Sequence, residues 1–145
     1  MAEGSVMKRV LVLCTGNSCR SQMAEALINK LGEGHFHAVS AGAKPSGYVH
    51  PLSLKIIKDE GIPTQGLRSK SWDEFKSQKF DFVITVCDNA KQTCPIWPGQ
   101  PNMIHWSIVD PGEAQGTEEE KLVHFRSAFN DLKQRISQFL AANGK

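Results

Sequence analysis

Cys14-Thr15-Gly16-Asn17-Ser18-Cys19-Arg20-Ser21, a cysteine and an arginine separated by five residues, lies between an apolar run and a helical repeat and limits the fold more tightly than any other stretch of the chain. Upstream, Val10-Leu11-Val12-Leu13 is short, rich in β-branched residues and bounded by Lys8-Arg9 and a polar turn. That is the pattern of a strand buried on both faces. Downstream, Met23, Ala24, Leu27, Ile28 and Leu31 recur on one helical face, and Gly32 is placed to stop the helix. A tight loop between a strand and a helix gathers backbone N–H groups at a helix N-terminus, where the dipole favours an anion. Residues Thr15, Gly16, Asn17, Ser18, Cys19, Arg20 and Ser21 are therefore expected to cradle a tetrahedral oxyanion. Gly16 lets the backbone come close, Arg20 can grip two oxygens, and Cys14 lies where the same donors would stabilise a thiolate. An ordinary cysteine is only about 3% thiolate at pH 7. Several N–H donors, a helix terminus and the Ser21 hydroxyl are the means by which such a loop can favour the anion.

The rest of the chain repeats the strand and helix alternation. Phe36 to Ser40 is a weaker strand, followed by a Gly/Pro-rich loop from Ala41 to Val49. Pro51 suits the first turn of a helix that carries Leu52, Ile56 and Ile57 and ends near Gly61. Phe80 to Val86 is the second strong strand, with Cys87 at its end as Cys14 is at the end of the first. Met103 to Trp106 is one more short strand, and Val109-Asp110-Pro111-Gly112 is a turn-rich loop. Thr117 and Glu120 form a capping-box pattern ahead of Leu122, Phe125, Phe129, Leu132, Ile136, Phe139 and Leu140, the apolar stripe of a long core helix. The expected fold is a three-layer α/β domain with a mostly parallel, about four-stranded central sheet and helices on both faces. Its ligands should bind outside the carboxyl ends of the strands. Residues 1–7 read as a disordered lead-in and residues 8–145 as a single domain.

Composition narrows the class. Hydrophobic residues make up 40% and charged residues 22%, and 17 Lys+Arg against 15 Asp+Glu leave a net charge of +2, so neither disorder nor a broad nucleic-acid footprint is favoured. The apolar runs Val10 to Cys14 and Phe82 to Val86 are far too short to span a membrane, and the N-terminus has no signal-peptide core. A soluble, cytoplasmic monomer is expected, and there standing disulfides are disfavoured. Cys14, Cys19, Cys87 and Cys94 accordingly point toward catalysis or redox chemistry. No metal is expected, because the CxxC pairs and clustered histidines of zinc sites are absent. His35, His37, His50, His105 and His124 read as surface or loop residues, and Trp72, Trp97 and Trp106 as anchors.

Val10 to Glu25 resembles the nucleophile loop and following helix of the low-molecular-weight tyrosine phosphatase superfamily, and Asp110-Pro111 resembles that family's general-acid loop. Two positions depart from the phosphatases: Gln22 stands where they usually have proline, and Gly112-Glu113-Ala114 stands where they have aromatic residues. Cys87-Asp88-Asn89-Ala90-Lys91-Gln92-Thr93-Cys94-Pro95 is similar to the redox segment of the thioredoxin-coupled arsenate reductases in this superfamily, as is His105-Trp106 ahead of Asp110-Pro111. The resemblance implies reduction of arsenate to arsenite, in the service of arsenic detoxification, by a relay in which Cys14 attacks, Cys87 follows and Cys94 comes third. Arg20 and Asp110 would serve as oxyanion grip and general acid, and Cys19 would stand outside the relay. No cofactor would be tightly bound. Reduced thioredoxin would be the electron donor, with glutaredoxin ranked second. Some of these reductases hold a potassium ion with an asparagine, a glutamate, a serine and an aspartate. Asn17, Glu25 and Ser40 match the first three, whereas Lys70 stands in the fourth place, so its ammonium is expected to replace the ion. The alternatives are a tyrosine phosphatase with incidental cysteines, and a non-enzymatic module in which Cys87 and Cys94 sense redox state.

Overall fold

A computed structural model of the chain describes residues 7–87 and 102–144. The apolar run after Lys8-Arg9 forms the central strand β1 (Lys8–Cys14), whose last five residues are all buried. Strands β2 (Phe36–Gly42), β3 (Phe82–Thr85) and β4 (Met103–His105) join it in a four-stranded, all-parallel sheet of order β2-β1-β3-β4. Among the described residues there are three α-helices: α1 (Arg20–Leu31) follows β1, α2 (Pro51–Asp59) follows β2 and α3 (Glu118–Ala142) follows β4. This is the layered, parallel α/β architecture that the alternation of strand and helix patterns predicts.

The pleat of β1 sorts its side chains into two cores. Val10, Val12 and Cys14 pack with Met23 and Leu27 of α1, Ile56 of α2, and Phe125, Phe129 and Leu132 of α3. Leu11 and Leu13 face the other way and pack with Ala41, Val83, Phe75 and Phe80. That second face is covered, among the described residues, by the short 3-10 turn Trp72–Phe75 rather than by an α-helix. Each fully buried aromatic of α3 contributes about 1.5–3 kcal/mol relative to an exposed one, which makes this 25-residue helix the main lid of the larger core. Its start is fixed by a complete capping box: the Thr117 hydroxyl accepts from Glu120 N at 3.2 Å and the Glu120 carboxylate accepts from Thr117 N at 2.9 Å.

Helix α1 begins at Arg20, three residues before the apolar repeat does, because its first turn buries polar side chains. Arg20 is 3% exposed, and Ser21 and Gln22 are fully buried. A hydrophobic period cannot detect such a turn. The second strong strand is shorter than its apolar run, since Phe80 leaves the ladder for the smaller core and the Asp81 carboxylate accepts from Arg9 N at 2.7 Å. Register then sets the site. Cys14 pairs with Gly42 and Leu13 with Thr85, while Val86 N donates to Leu13 O at 3.0 Å. Strands β1 and β3 thus finish side by side at the carboxyl edge of the sheet, and Cys87 follows immediately. No helix among the described residues is long and apolar enough to cross a membrane.

Candidate active site

Six successive carbonyls, from Cys14 to Cys19, are each held by a donor outside the loop. Ala43 N, Lys44 N and Ser46 N donate to the carbonyls of Cys14, Thr15 and Gly16 at 3.3, 2.9 and 2.9 Å. His50 N donates to Ser18 O and Met23 N to Cys19 O, both at 3.0 Å. Gln22 Nε2 donates to Asn17 O at 3.0 Å, and Ser69 Oγ adds a second bond to Gly16 O at 3.2 Å. In a planar trans peptide the N–H opposes its carbonyl, so holding every carbonyl outward turns the following N–H groups inward. The N–H groups of Gly16, Ser18 and Cys19 donate to no other group among the described residues. They form an anion nest.

Cys14 sits at its base, 1% exposed. Its Sγ accepts from Asn17 N at 3.1 Å and lies 3.0 Å from the Ser21 hydroxyl. Asn17 makes this possible by adopting a left-handed backbone, φ 51°, the one such non-glycine residue described. The end of β2 must also come very close: a Cβ on Gly42 would lie 2.5 Å from the Thr15 carbonyl oxygen, so only glycine fits beneath the loop. A pocket of about 200 Å³ opens above, lined by residues 14–20 and Asp110.

Arg20 and Asp110 close that pocket from the helix side. Arg20 Nη1 donates to Ile108 O at 3.0 Å, and Nη2 stands 3.6 Å from Asp110 Oδ2. The other Asp110 oxygen accepts from Gly112 N at 2.9 Å, capping the 3-10 turn Pro111–Glu113. An oxyanion entering the nest would meet the guanidinium with a carboxyl group beside it, the placement a proton donor to a departing oxygen requires. Cys19 also borders this space, but burial, reinforced by the charge of Asp110, pushes its thiol up to about 11 although the Ser18 and Ser53 hydroxyls oppose the shift. It is a neutral thiol at physiological pH. Cys87 is fully buried in the same core cluster as Cys14. Cys94 and Trp97 lie outside the described residues.

Behind the loop, polar side chains close a ring. Asn17 Nδ2 donates to Ser40 Oγ at 2.9 Å, and Ser40 Oγ donates to Glu25 Oε1 at 2.7 Å. Lys70 Nζ stands 3.4 Å from Glu25 Oε1 and donates to Arg68 O at 3.0 Å. Gln22 Nε2 reaches that same Arg68 carbonyl at 2.8 Å, and Lys70 N returns to Asn17 Oδ1 at 2.9 Å. Burial holds the Lys70 ammonium below the ordinary lysine range, opposed by Glu25. No three His, Cys, Asp or Glu side chains converge as metal ligands among the described residues.

Sequence reasoning missed part of this site. His50 lies at the end of a loop as expected but does more there: it is half-buried, its Nδ1 accepts from Leu52 N at 3.1 Å as the cap of α2, and its ring lies 4.7 Å from that of Phe125, tilted by 42°. Burial pulls its pKa below the usual value, Asp110 opposing and Lys121 adding to the shift. His50 immediately before Pro51 at a helix start was the available cue. His35, His37, His105 and His124 are exposed, and His105 Nδ1 lies 2.6 Å from the Thr85 hydroxyl. Ser69 and Ile108 act through one hydroxyl and one carbonyl, with no cue in the sequence.

Residues 9–145 match the family of low molecular weight phosphotyrosine protein phosphatases. An arsenate reductase of Halalkalibacterium halodurans is 40% identical over 138 residues, covering 95% of this chain and 98% of that protein. A glutaredoxin arsenate reductase of Synechocystis is 32% identical, covering 93% and 98% respectively. Among solved structures, an arsenate reductase in the phosphate binding state superposes with a TM-score of 0.79 at 32% identity, over 94% of this chain and 98% of that one. A thioredoxin-dependent arsenate reductase of Corynebacterium glutamicum gives 0.72 at 26% identity, over 97% of this chain and 65% of that one.

Proposed function

This chain belongs to the low molecular weight phosphotyrosine protein phosphatase family, and from that premise we propose that it turns the family's nucleophile loop to the reduction of arsenate to arsenite. One observation carries the reading. A second cysteine, Cys87, is buried at the end of the strand beside the nucleophile's own, in the same core cluster as Cys14. Hydrolysis of a phosphate ester needs one thiolate and has no use for the second.

The chemistry proceeds in balanced steps. Arsenate settles into the N–H nest against Arg20, and the Cys14 thiolate attacks arsenic(V). An arsenate oxygen, protonated by Asp110, leaves as water, and a sulfur–arsenic bond remains. Cys87, as thiolate, attacks Cys14 Sγ. A Cys14–Cys87 disulfide forms, the sulfur–arsenic bond breaks toward arsenic, and arsenite departs carrying the electron pair. Two thiols have been oxidised by one electron each and arsenic has gained two. Cys94 then attacks Cys87, freeing Cys14 and leaving a Cys87–Cys94 disulfide for an external dithiol. We assign that role to thioredoxin, because the Cys87 to Cys94 segment is similar to that of the thioredoxin-coupled branch. The Corynebacterium neighbour supports thioredoxin, and the Synechocystis relative makes glutaredoxin the competing donor.

The test is NADPH oxidation with arsenate, run with thioredoxin and its reductase, or with glutaredoxin, glutathione and glutathione reductase. An aryl phosphate serves as the control. Thioredoxin should sustain turnover, and Cys94→Ser should release one arsenite per protein and stop. Sustained cycling by Cys94→Ser would remove Cys94 from the relay, and aryl phosphate hydrolysis without arsenate-dependent NADPH loss would make this chain a phosphatase.

A further inference from the structure

Of the six loop carbonyls, five are held by backbone N–H groups, one of these also by the Ser69 hydroxyl, and the Asn17 carbonyl is the one held only by a side chain, that of Gln22. Gln22 is fully buried in the first turn of α1. Its Nε2 lies between two carbonyl oxygens, Asn17 O at 3.0 Å and Arg68 O at 2.8 Å. A flipped amide would set oxygen against oxygen twice, so the donor end is determined by the chemistry of its neighbours. The Oε1 atom has no hydrogen-bond partner among the described residues. The side chain is therefore held by its two donated bonds. Arg68 O also accepts from Lys70 Nζ, which anchors the far end of this strut.

We propose that Gln22 is a positioning residue of the oxyanion nest: by drawing the Asn17 carbonyl outward, its amide turns the Asn17–Ser18 peptide so that the Ser18 N–H faces the bound anion. The inference rests on reading this loop as an oxyanion site, and it assigns one donor of that site to one side chain. It also separates two properties of the loop. The N–H that reaches Cys14 Sγ belongs to Asn17, in the Gly16–Asn17 peptide, whose carbonyl is held independently by Ser46 N and Ser69 Oγ. Loss of the Gln22 amide should therefore weaken anion binding far more than it changes the reactivity of Cys14, whose direct N–H contact is kept. A proline at this position has no side-chain donor, so a phosphatase loop with proline there must orient the same peptide by other means.

The experiment measures inorganic phosphate binding by calorimetry and the rate of Cys14 alkylation by iodoacetamide, followed by mass spectrometry of its peptide. Parent protein that fails to bind phosphate would sink the oxyanion reading itself. Provided the parent binds, Gln22→Met, which keeps length and burial, should raise the phosphate Kd on the order of tenfold, the worth of one hydrogen bond to a charged group. Its alkylation rate should change far less. An unchanged Kd, or a Kd and an alkylation rate that move together, overturns the assignment. A second variant, Gln22→Glu, covers the case in which Gln22→Met does not fold. Its carboxylate is a poor substitute for the amide while ionised, but the protonated acid offers one O–H donor. The phosphate Kd of Gln22→Glu, divided by that of the parent at each pH, should fall toward one as the pH is lowered. A ratio independent of pH overturns the proposal.

Discussion

Lys70 is the residue at which charge and loop geometry meet most sharply, and Lys70→Met tests what its ammonium does. The side chains of Lys70 and Glu25 are 6% and 12% exposed and stand 3.4 Å apart. Removing one partner of a buried pair costs about 3–5 kcal/mol, because the other charge is left without compensation. Glu25 keeps its 2.7 Å bond from Ser40, which puts the expected loss near the lower end, about 3 kcal/mol. At about 3 °C per kcal/mol for a chain of this size, Tm should fall by about 10 °C. We propose that the ammonium replaces a potassium ion here, and that reading makes a sharper demand. Parent protein should melt at the same temperature in potassium and sodium chloride of equal ionic strength. Lys70→Met should regain part of its lost Tm in potassium, because the Glu25 carboxylate, the Ser40 hydroxyl and the Arg68 carbonyl are the oxygen ligands a hard monovalent cation seeks. Differential scanning calorimetry in the two salts is the assay. A parent protein stabilised by potassium over sodium, or a Lys70→Met loss below about 1 kcal/mol, as for a surface pair, would refute the argument. The titration of Lys70 adds a sign. Burial lowers its folded pKa below the 10.5 of an ordinary lysine, so between those two values the unfolded chain binds more protons and stability rises with pH. Parent protein should show that alkaline rise, and Lys70→Met should lack it.

His50 titrates in the opposite range. Its folded pKa is lowered from 6.5, mainly by burial, and its Nδ1 caps α2 only while unprotonated. Stability should be complete above pH 6.5 and should be lost as the pH falls below that value toward the folded pKa. His50→Asn, a cap that does not titrate, should flatten this dependence in urea unfolding; an equally steep acid loss in that variant would exclude His50 as its source. Cys19→Ser should keep most arsenate turnover, since a thiol pushed up to about 11 is not a nucleophile at neutral pH. Steady-state kinetics check this, and a loss as deep as that of Cys14→Ser would contradict it.

What the sequence disclosed and what it concealed follow from how each atom is supplied. The nest is contiguous, residues 14–21, so a strand pattern, a glycine and an arginine at one spacing were enough to reveal it. The parallel sheet was legible for a similar reason: buried strands alternate with amphipathic helices along the chain, and α3 carries its cap as a local motif. The supports of the nest are another matter. Lys44, Ser46 and His50 hold three of its carbonyls through backbone N–H groups, a function that any residue but proline can perform and that leaves no mark on residue choice. Side-chain supports do leave marks. Asn17 in its left-handed conformation, Gly42 where a Cβ would strike Thr15 O, and Gln22 at the Asn17 carbonyl are each required by chemistry or space. Lys70 lies between these cases: it meets Glu25 across 45 positions of chain, so its identity is informative only once the fold has brought the two together. The path of residues 43–50 past the loop, rather than the side chains along it, therefore carries much of the nest's precision, and a change in the length of that segment would disturb more donors than any single substitution within it.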